Sequence, residues 1–248
     1  DRSGGYVWPI YPSYEIFAAD VDGGAPRRLT DSDGYDAEGA VSPDGSRIVF
    51  RLSWIDAGKN DLPGAARFSD ACAVQLPAKA EADVPAPQMG EKGKPVEILF
   101  WSASAQAVAD GRADDIHALY PNTKVDHYPA EAAPLEKGSP EQRAMAIRYS
   151  PARALGNVVS TRSAKPVQEL TAEGPGTLSP GTGPGIGSAD GKGRHDGAGW
   201  AVVLSRPLPA QLGSNTQAAF AVWQGDQQEV GARKMRTPWI QVVLEARP

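Results

Sequence analysis

The sequence predicts a mainly β protein, an antiparallel β-sandwich with long loops and a few short helices. Several short segments alternate apolar and polar side chains, which is the period of a half-buried strand. The 27 glycines and 22 prolines among 248 residues exceed average usage and indicate many turns. A chain of this length can bury a substantial core without cross-links.

Composition excludes several classes of function. The net charge is −5 and the isoelectric point is near 5.3, and no run of Lys or Arg forms a basic stripe, so nucleic acid and anionic membrane are not expected partners. The single cysteine, Cys72, excludes an internal disulfide and a cysteine-rich metal site. No apolar run reaches the roughly 18–20 residues of a membrane span, and the first residues lack a signal-peptide pattern.

Residues 1–45 are predicted to form an N-terminal hairpin extension, followed by one sandwich domain over residues 46–248. Short strands are expected at 14–19 and 27–30, with a turn at 42–45. The stretch YEIFAADVDGGAPRRLTDSDGYDAEGAVSPDGSRIVF resembles a single repeat of the TolB-type β-propeller family. A propeller needs several blades and no second repeat follows, so the resemblance indicates a hairpin docked on another domain, or an unusual fusion, more than a working propeller.

Further elements of the sandwich follow from alternation and from breakers. Residues 174–199, rich in glycine and proline, are predicted to form a long surface loop without regular structure. Weak helices are expected over 103–119, interrupted at Gly111, and over 140–147. The predicted strands and extended segments cover residues 47–54, 68–77, 95–101, 167–172 and 200–206, and two more lie within 220–244.

Five motifs in one order carry a family resemblance. They are WID, FSDACAVQLP, a Pro-rich loop ending in PAPQMG and followed by PVEILFW, the glycine-rich tract before GWAVVLSRPL, and FAVWQG with GARK and a following Trp. Together they resemble the haem b-binding gamma subunit of the ethylbenzene dehydrogenase type, in the type II dimethyl sulfoxide reductase family. The resemblance covers roughly residues 46–246.

The resemblance implies a haem iron held by Met89 of the PAPQMG loop and Lys234 of GARK. Since the chain has no CxxCH motif, this haem b would be non-covalent. A thioether is a soft, neutral ligand that favours ferrous iron, whereas an amine must lose its proton before it coordinates. Without the resemblance, Met89 would be interpreted as a side chain that fills space in the core, and Lys234 as a charged residue exposed to solvent.

Aromatic and basic side chains are the further candidates for the haem site. Trp101 and Trp223 lie on predicted strands and are candidates to flank the porphyrin, although an inward Trp is most often a core residue. Arg206 and Arg233 are candidates to pair with the haem propionates, because a guanidinium matches a carboxylate in a bidentate way. The alternative interpretation of each arginine is a charged residue on the protein surface.

Histidines and carboxylates give no self-contained active site. His117, His127 and His195 lack the short spacing of a metal-binding pair and rank as fallback ligands. Loop carboxylates are interpreted as solvated, since no GxSxG, HExxH or P-loop motif organises them. These carboxylates are Asp56, Asp70, Asp114 and Asp115.

The resemblance implies an electron-transfer subunit, not catalytic alone, in a periplasmic molybdenum oxidoreductase complex. Its partners would be a molybdopterin alpha subunit, an iron–sulfur beta subunit and a soluble cytochrome or similar carrier. Two alternatives stay open: a haem-free module that binds carbohydrate or protein, and a fragment of a TolB-type propeller. Exposed tryptophans on one face would favour the module, whereas an apolar slot between Met89 and Lys234 would favour haem.

Overall fold

The computed structural model describes residues 17–18, 27–28, 36–42, 44–62, 64, 66–79, 84–113, 120–123, 139–148, 165–181, 187–208 and 215–243. These residues form the strands and helices that follow. The strands are β1 (Phe17–Ala18), β2 (Arg27–Arg28), β3 (Asp36–Val41), β4 (Arg47–Ile55), β5 (Ala71–Pro77), β6 (Val96–Ser102), β7 (Val167–Ala172), β8 (Ser179–Pro180), β9 (Asp190–His195), β10 (Gly199–Pro207), β11 (Asn215–Trp223), β12 (Met235–Arg236) and β13 (Ile240–Val243), and the helices are α1 (Ala103–Ala109) and α2 (Pro140–Arg148).

Two antiparallel sheets form the sandwich. The smaller sheet has the strand order β3-β4-β10-β9, and the larger one has the order β12-β11-β5-β6-β7-β8, with β13 also paired to β11. Strands β1 and β2 pair with each other and, among the described strands, with no other. The predicted mainly β, antiparallel fold class is confirmed.

The core lies between the two sheets. In β4 buried residues alternate with more exposed ones, so that Ile48, Phe50 and Leu52 are fully buried while Arg51 is exposed. They meet Val74 and other inward residues of the larger sheet. Burial of each such side chain contributes roughly 1.5–3 kcal/mol, and this pattern sets the register of β4 in its sheet.

The smaller sheet crosses the predicted domain boundary at residue 46. Strand β3 pairs with β4 along its whole length, from Asp36 opposite Ser53 to Val41 opposite Ile48. After β3, the Asp44 carboxylate accepts hydrogen bonds from the Ser42 and Ser46 hydroxyls. Strand β3, which the prediction placed in a separate extension, therefore belongs to the smaller sheet of the sandwich.

The prediction of an irregular loop over residues 174–199 is wrong. Strand β9 forms inside it and pairs with β10 from Asp190 to His195. The glycines of β9 are required by close packing: a Cβ on Gly193 would lie 2.1 Å from Cζ2 of Trp101. Turn-rich composition concealed a strand whose glycines make room for a tryptophan.

Helix α1 follows β6 directly and ends near the predicted interruption. The Ser102 side chain caps it by accepting a hydrogen bond from the Ala105 amide, and Asp110 is its C-terminal cap, just before Gly111 with φ of 105°. In the part of the chain that the structure describes, no helix has the length and hydropathy to cross a bilayer.

Candidate functional site

A large apolar cavity lies on the outer face of the larger sheet. Its volume is about 1070 Å³, at the upper end of the roughly 300–1,000 Å³ typical of ligand sites. Its floor includes Ala73, Ile98, Phe100, Leu170 and Ala221. These residues belong to a second apolar cluster, separate from the core between the sheets.

The floor exists because the central strands are apolar on both faces. All seven residues of β5 are buried; Cys72, Val74 and Leu76 join the core between the sheets, whereas Ala71 and Ala73 line the cavity. The strand predicted over residues 68–77 thus forms over Ala71–Pro77, with both of its faces buried. An apolar outer face of this extent marks a binding site rather than ordinary surface.

Met89 lies at the rim in a tight, strained turn. Its φ is +69°, a conformation that costs a non-glycine residue roughly 1–2 kcal/mol. The turn is held by hydrogen bonds from the Gly174 amide to the Met89 carbonyl (2.8 Å) and from Gln75 Nε2 to the Pro87 carbonyl (3.2 Å). Met89 is half-buried against the outer apolar cluster, so its thioether is part of the cavity wall.

Lys234 lines the same cavity from the loop between β11 and β12. Its Nζ donates to the Gly231 carbonyl (3.1 Å) and lies 5.1 Å from the centroid of the Trp223 ring. Burial, and then the charge of Arg236, lowers the pKa of Lys234. The amine is therefore easier to deprotonate than an exposed lysine, which coordination to a metal requires.

The segments that carry Met89 and Lys234 are anchored at opposite ends of β5. Trp223, which lies under Lys234, pairs with Ala71 at the start of the strand, whereas Gln75 near its end holds the Met89 turn. A strand separates residues 71 and 75 by about 13 Å. The two predicted ligands thus share one cavity with its alanine floor between their anchors.

Trp223 lines the cavity, as a flanking residue would. Its Nε1 donates to the Gly231 carbonyl (3.1 Å), and its ring makes an edge contact with Phe100 at 5.6 Å between centroids. The residue therefore fixes the loop that carries Lys234 as well as one wall of the cavity.

Three predicted site residues lie elsewhere. Trp101 is fully buried between the sheets, packed against Trp200 at 5.0 Å, so it occupies the core position named as its alternative. Arg206 is buried in an ion pair with Glu97. Arg233 is exposed, and none of the three residues lines the cavity.

Among the histidines, only His195 falls within the described residues. It lies on β9, where its Nε2 is 2.8 Å from the Asp56 carbonyl oxygen and its ring packs against Trp200, outside the cavity lining. His117 and His127 lie outside the described residues. Within the described ranges, no group of three or more His, Cys, Asp or Glu side chains is arranged to hold a metal ion.

The interpretation of the loop carboxylates as solvated is wrong for Asp56 and Asp70, while Asp114 and Asp115 lie outside the described residues. Asp70 is fully buried and organises its surroundings. It accepts hydrogen bonds from the Asn60 amide (2.7 Å), Trp200 Nε1 (2.9 Å) and the Gly225 amide (2.8 Å). It therefore fixes the start of the loop that carries Lys234.

Sequence reasoning missed the arginines at the cavity. Arg67, Arg112 and Arg236 all line it. Arg112 donates to the Ser104 carbonyl (3.0 Å) and lies 3.5 Å from the Asp61 carboxylate. No local motif distinguishes these residues from surface arginines, since the fold alone brings them to the cavity.

The chain is thus a β-sandwich with a large apolar cavity on the outer face of one sheet. The sequence profile of the family described as ethylbenzene dehydrogenase matches residues 40–235, and the chain belongs to this family. The match confirms the resemblance carried by the five motifs, and it agrees with a chain that is not catalytic alone.

One relative gives a further comparison. A protein of Haloferax mediterranei, named as a candidate respiratory nitrate reductase heme subunit (ORF7), is 24% identical over 243 residues, which cover 94% of this chain. The chain spans 64% of the length of this curated relative.

Proposed function

We propose that the chain is the haem-binding, electron-transfer subunit of a molybdenum oxidoreductase complex. One observation carries this proposal: Met89 and Lys234, distant in sequence, line the same apolar cavity. The family match and the haem subunit name of the relative support the same class of protein.

The residues of the cavity fit a non-covalent haem b. The floor is apolar and built from small residues such as Ala73 and Ala221, which are direct cross-strand neighbours and leave room for a broad flat ligand. Met89 offers a neutral thioether, and Lys234 offers an amine whose pKa is already lowered by burial. Arg67 and Arg236 supply positive charge in the lining.

The chain's own residues would set the chemistry of the site. Met89 would stabilise the reduced state, because a thioether favours ferrous iron and raises the reduction potential. Met89 and Lys234 would hold the iron, and the haem would supply one-electron transfer. The apolar floor excludes water and so lowers the local dielectric constant. A low dielectric constant would stabilise the less charged oxidation state of the haem iron.

In the complex, the chain would relay electrons between iron–sulfur clusters of a beta subunit and an external carrier such as a soluble cytochrome. The molybdopterin alpha subunit would carry the substrate chemistry, and the assembly would be periplasmic. The described tryptophans favour this reading over a carbohydrate-binding face, because Trp54, Trp101 and Trp200 are buried and Trp223 and Trp239 are half-buried.

The test is the visible spectrum of haem-reconstituted protein before and after dithionite. Wild type is expected to show a sharp low-spin α band, which Met89→Ala and Lys234→Ala lose or shift. Met235→Leu is the matched control, because Met235 is a buried core residue next to Lys234. Absence of the band in wild type, or the same change in Met235→Leu, would contradict the assignment.

A further inference from the structure

A second cavity, smaller and polar, adjoins the apolar one. Its volume is about 380 Å³, and Arg67 and Phe68 line both cavities. The remaining lining includes Lys59, Asn60 and Asp226. Arg67 and Phe68 thus lie between the apolar cavity and the smaller polar one. The smaller cavity is called the polar recess below.

Buried contacts fix the walls of this polar recess. Asp70 holds two of them, since it accepts hydrogen bonds from the Asn60 and Gly225 amides. The Gly225 backbone packs so closely that a Cβ there would lie 2.0 Å from the Phe68 carbonyl oxygen. Buried contacts of the backbone therefore fix the position of these walls of the recess.

The charges of the recess leave donors without acceptors. The Asp61 carboxylate is satisfied by Lys59 at 3.0 Å and by Arg112 at 3.5 Å. Arg67 makes no ion pair with any described residue. The Arg67 guanidinium therefore has no acidic partner among the described residues, and a guanidinium matches a carboxylate in a bidentate way.

We propose that the polar recess is the carboxylate subsite of the haem site, with Arg67 as the principal partner of the haem propionates. The inference rests on the proposed function, because the apolar cavity must first hold the porphyrin. It assigns to Arg67 the role that the sequence suggested for Arg206 and Arg233, which lie outside the cavity. Asp226, on the same wall, opposes the bound carboxylates.

The experiment compares ferric haem b with its dimethyl ester, which has the same iron and ring but uncharged side arms. Affinities are measured by absorbance titration on wild type, Arg67→Ala and the control Arg233→Ala. Wild type is expected to bind haem roughly tenfold more tightly than the ester, the value of one good charge-assisted contact. Arg67→Ala should bring this ratio near one, whereas Arg233→Ala should leave it unchanged.

A further variant is expected to strengthen the preference for haem over its dimethyl ester, so that the test includes a change in each direction. Asp226→Asn removes an opposing charge, so the preference for haem over the ester should rise by roughly two- to threefold. Arg67→Lys keeps the charge without the planar fork and should give an intermediate ratio. Both variants are measured beside wild type under the same salt concentration, because exposed charges are screened.

The outcomes separate this inference from the proposed function. Equal affinity of wild type for haem and ester, each with a low-spin band, would overturn the carboxylate subsite and leave the haem site intact. A ratio that survives in Arg67→Ala but collapses in Arg236→Ala would assign the propionates to the other arginine and overturn the inference. Failure of wild type to bind either compound would overturn the proposed function itself.

Discussion

A single type of substitution distinguishes the two faces of the larger sheet. Ala73 of β5 lines the outer cavity, whereas Ala218 of β11 belongs to the core between the sheets. Both side chains are buried, at 6% and 0% exposure, so solvent exposure alone does not distinguish the two positions. We therefore compare Ala73→Leu with Ala218→Leu, which add the same three carbons on opposite sides.

The magnitudes follow from the space on each side. Ala218→Leu inserts volume into a close-packed core and should lower the free energy of unfolding by about 1–3 kcal/mol. Ala73→Leu extends into the cavity, so its effect on unfolding should be below about 1 kcal/mol. The same leucine occupies the floor where the porphyrin would lie, and haem affinity should fall at least about fivefold.

Two assays are needed on each variant. Urea unfolding of the haem-free protein gives the stability change, and haem titration gives the affinity change. The expected result is a crossed pattern, with a stability loss from Ala218→Leu and an affinity loss from Ala73→Leu. If Ala73→Leu keeps full haem affinity, the outer cavity is not the haem site, and if it destabilises as much as Ala218→Leu, the outer face is packed rather than open.

Three further predictions concern buried polar groups. Asp70→Asn places an amide against backbone and indole N–H donors and should cost roughly 2–4 kcal/mol in urea unfolding, whereas the exposed control Asp196→Asn should change stability by less than about 1 kcal/mol. Burial, together with the charge of Asp70, raises the pKa of Asp56 to about 7. Since the unfolded pKa is near 3.9, ionisation of Asp56 lowers stability as pH rises from about 4 to 7. Asp56→Asn should therefore be more stable than wild type at pH 8, by roughly 1–2 kcal/mol once solvent screening is allowed for, and equal to it at pH 4. Burial also raises the pKa of the Cys72 thiol, so a thiol reagent should label it only at the rate of global unfolding, and fast labelling of the native protein would contradict its place in the core.

The sequence predicts strands well where one face is buried, and less well elsewhere. Alternation locates β4 and β10 because each has a solvent face and a core face. It fails at β9, whose Gly191 and Gly193 are selected by the bulk of neighbours distant in sequence. Trp101 requires a residue without a side chain at position 193, and this requirement does not appear in the local periodicity of the sequence.

The candidate site divides in the same way. Met89 and Lys234 were predicted because short motifs around them resemble a family, and the fold brings both to one cavity. Arg67 was missed, because it lines two cavities that only the fold brings together. Asp70 was named but interpreted as solvated, because its three donors lie on separate segments of the chain. Such roles depend on long-range contacts, which composition and spacing do not encode.

One local signal did point to the cavity. In β5 and β11 the residues facing the sandwich core include the large Val74 and Phe220, whereas their neighbours Ala73 and Ala221 face outward and pair across the strands. A solvent-facing strand would place polar side chains at these outward positions. Alanine there supplies neither polarity for water nor bulk for packing, so these two positions leave space above the sheet. Small apolar residues at outward positions of two paired central strands are therefore the local feature of this sequence that agrees with an apolar ligand on the larger sheet.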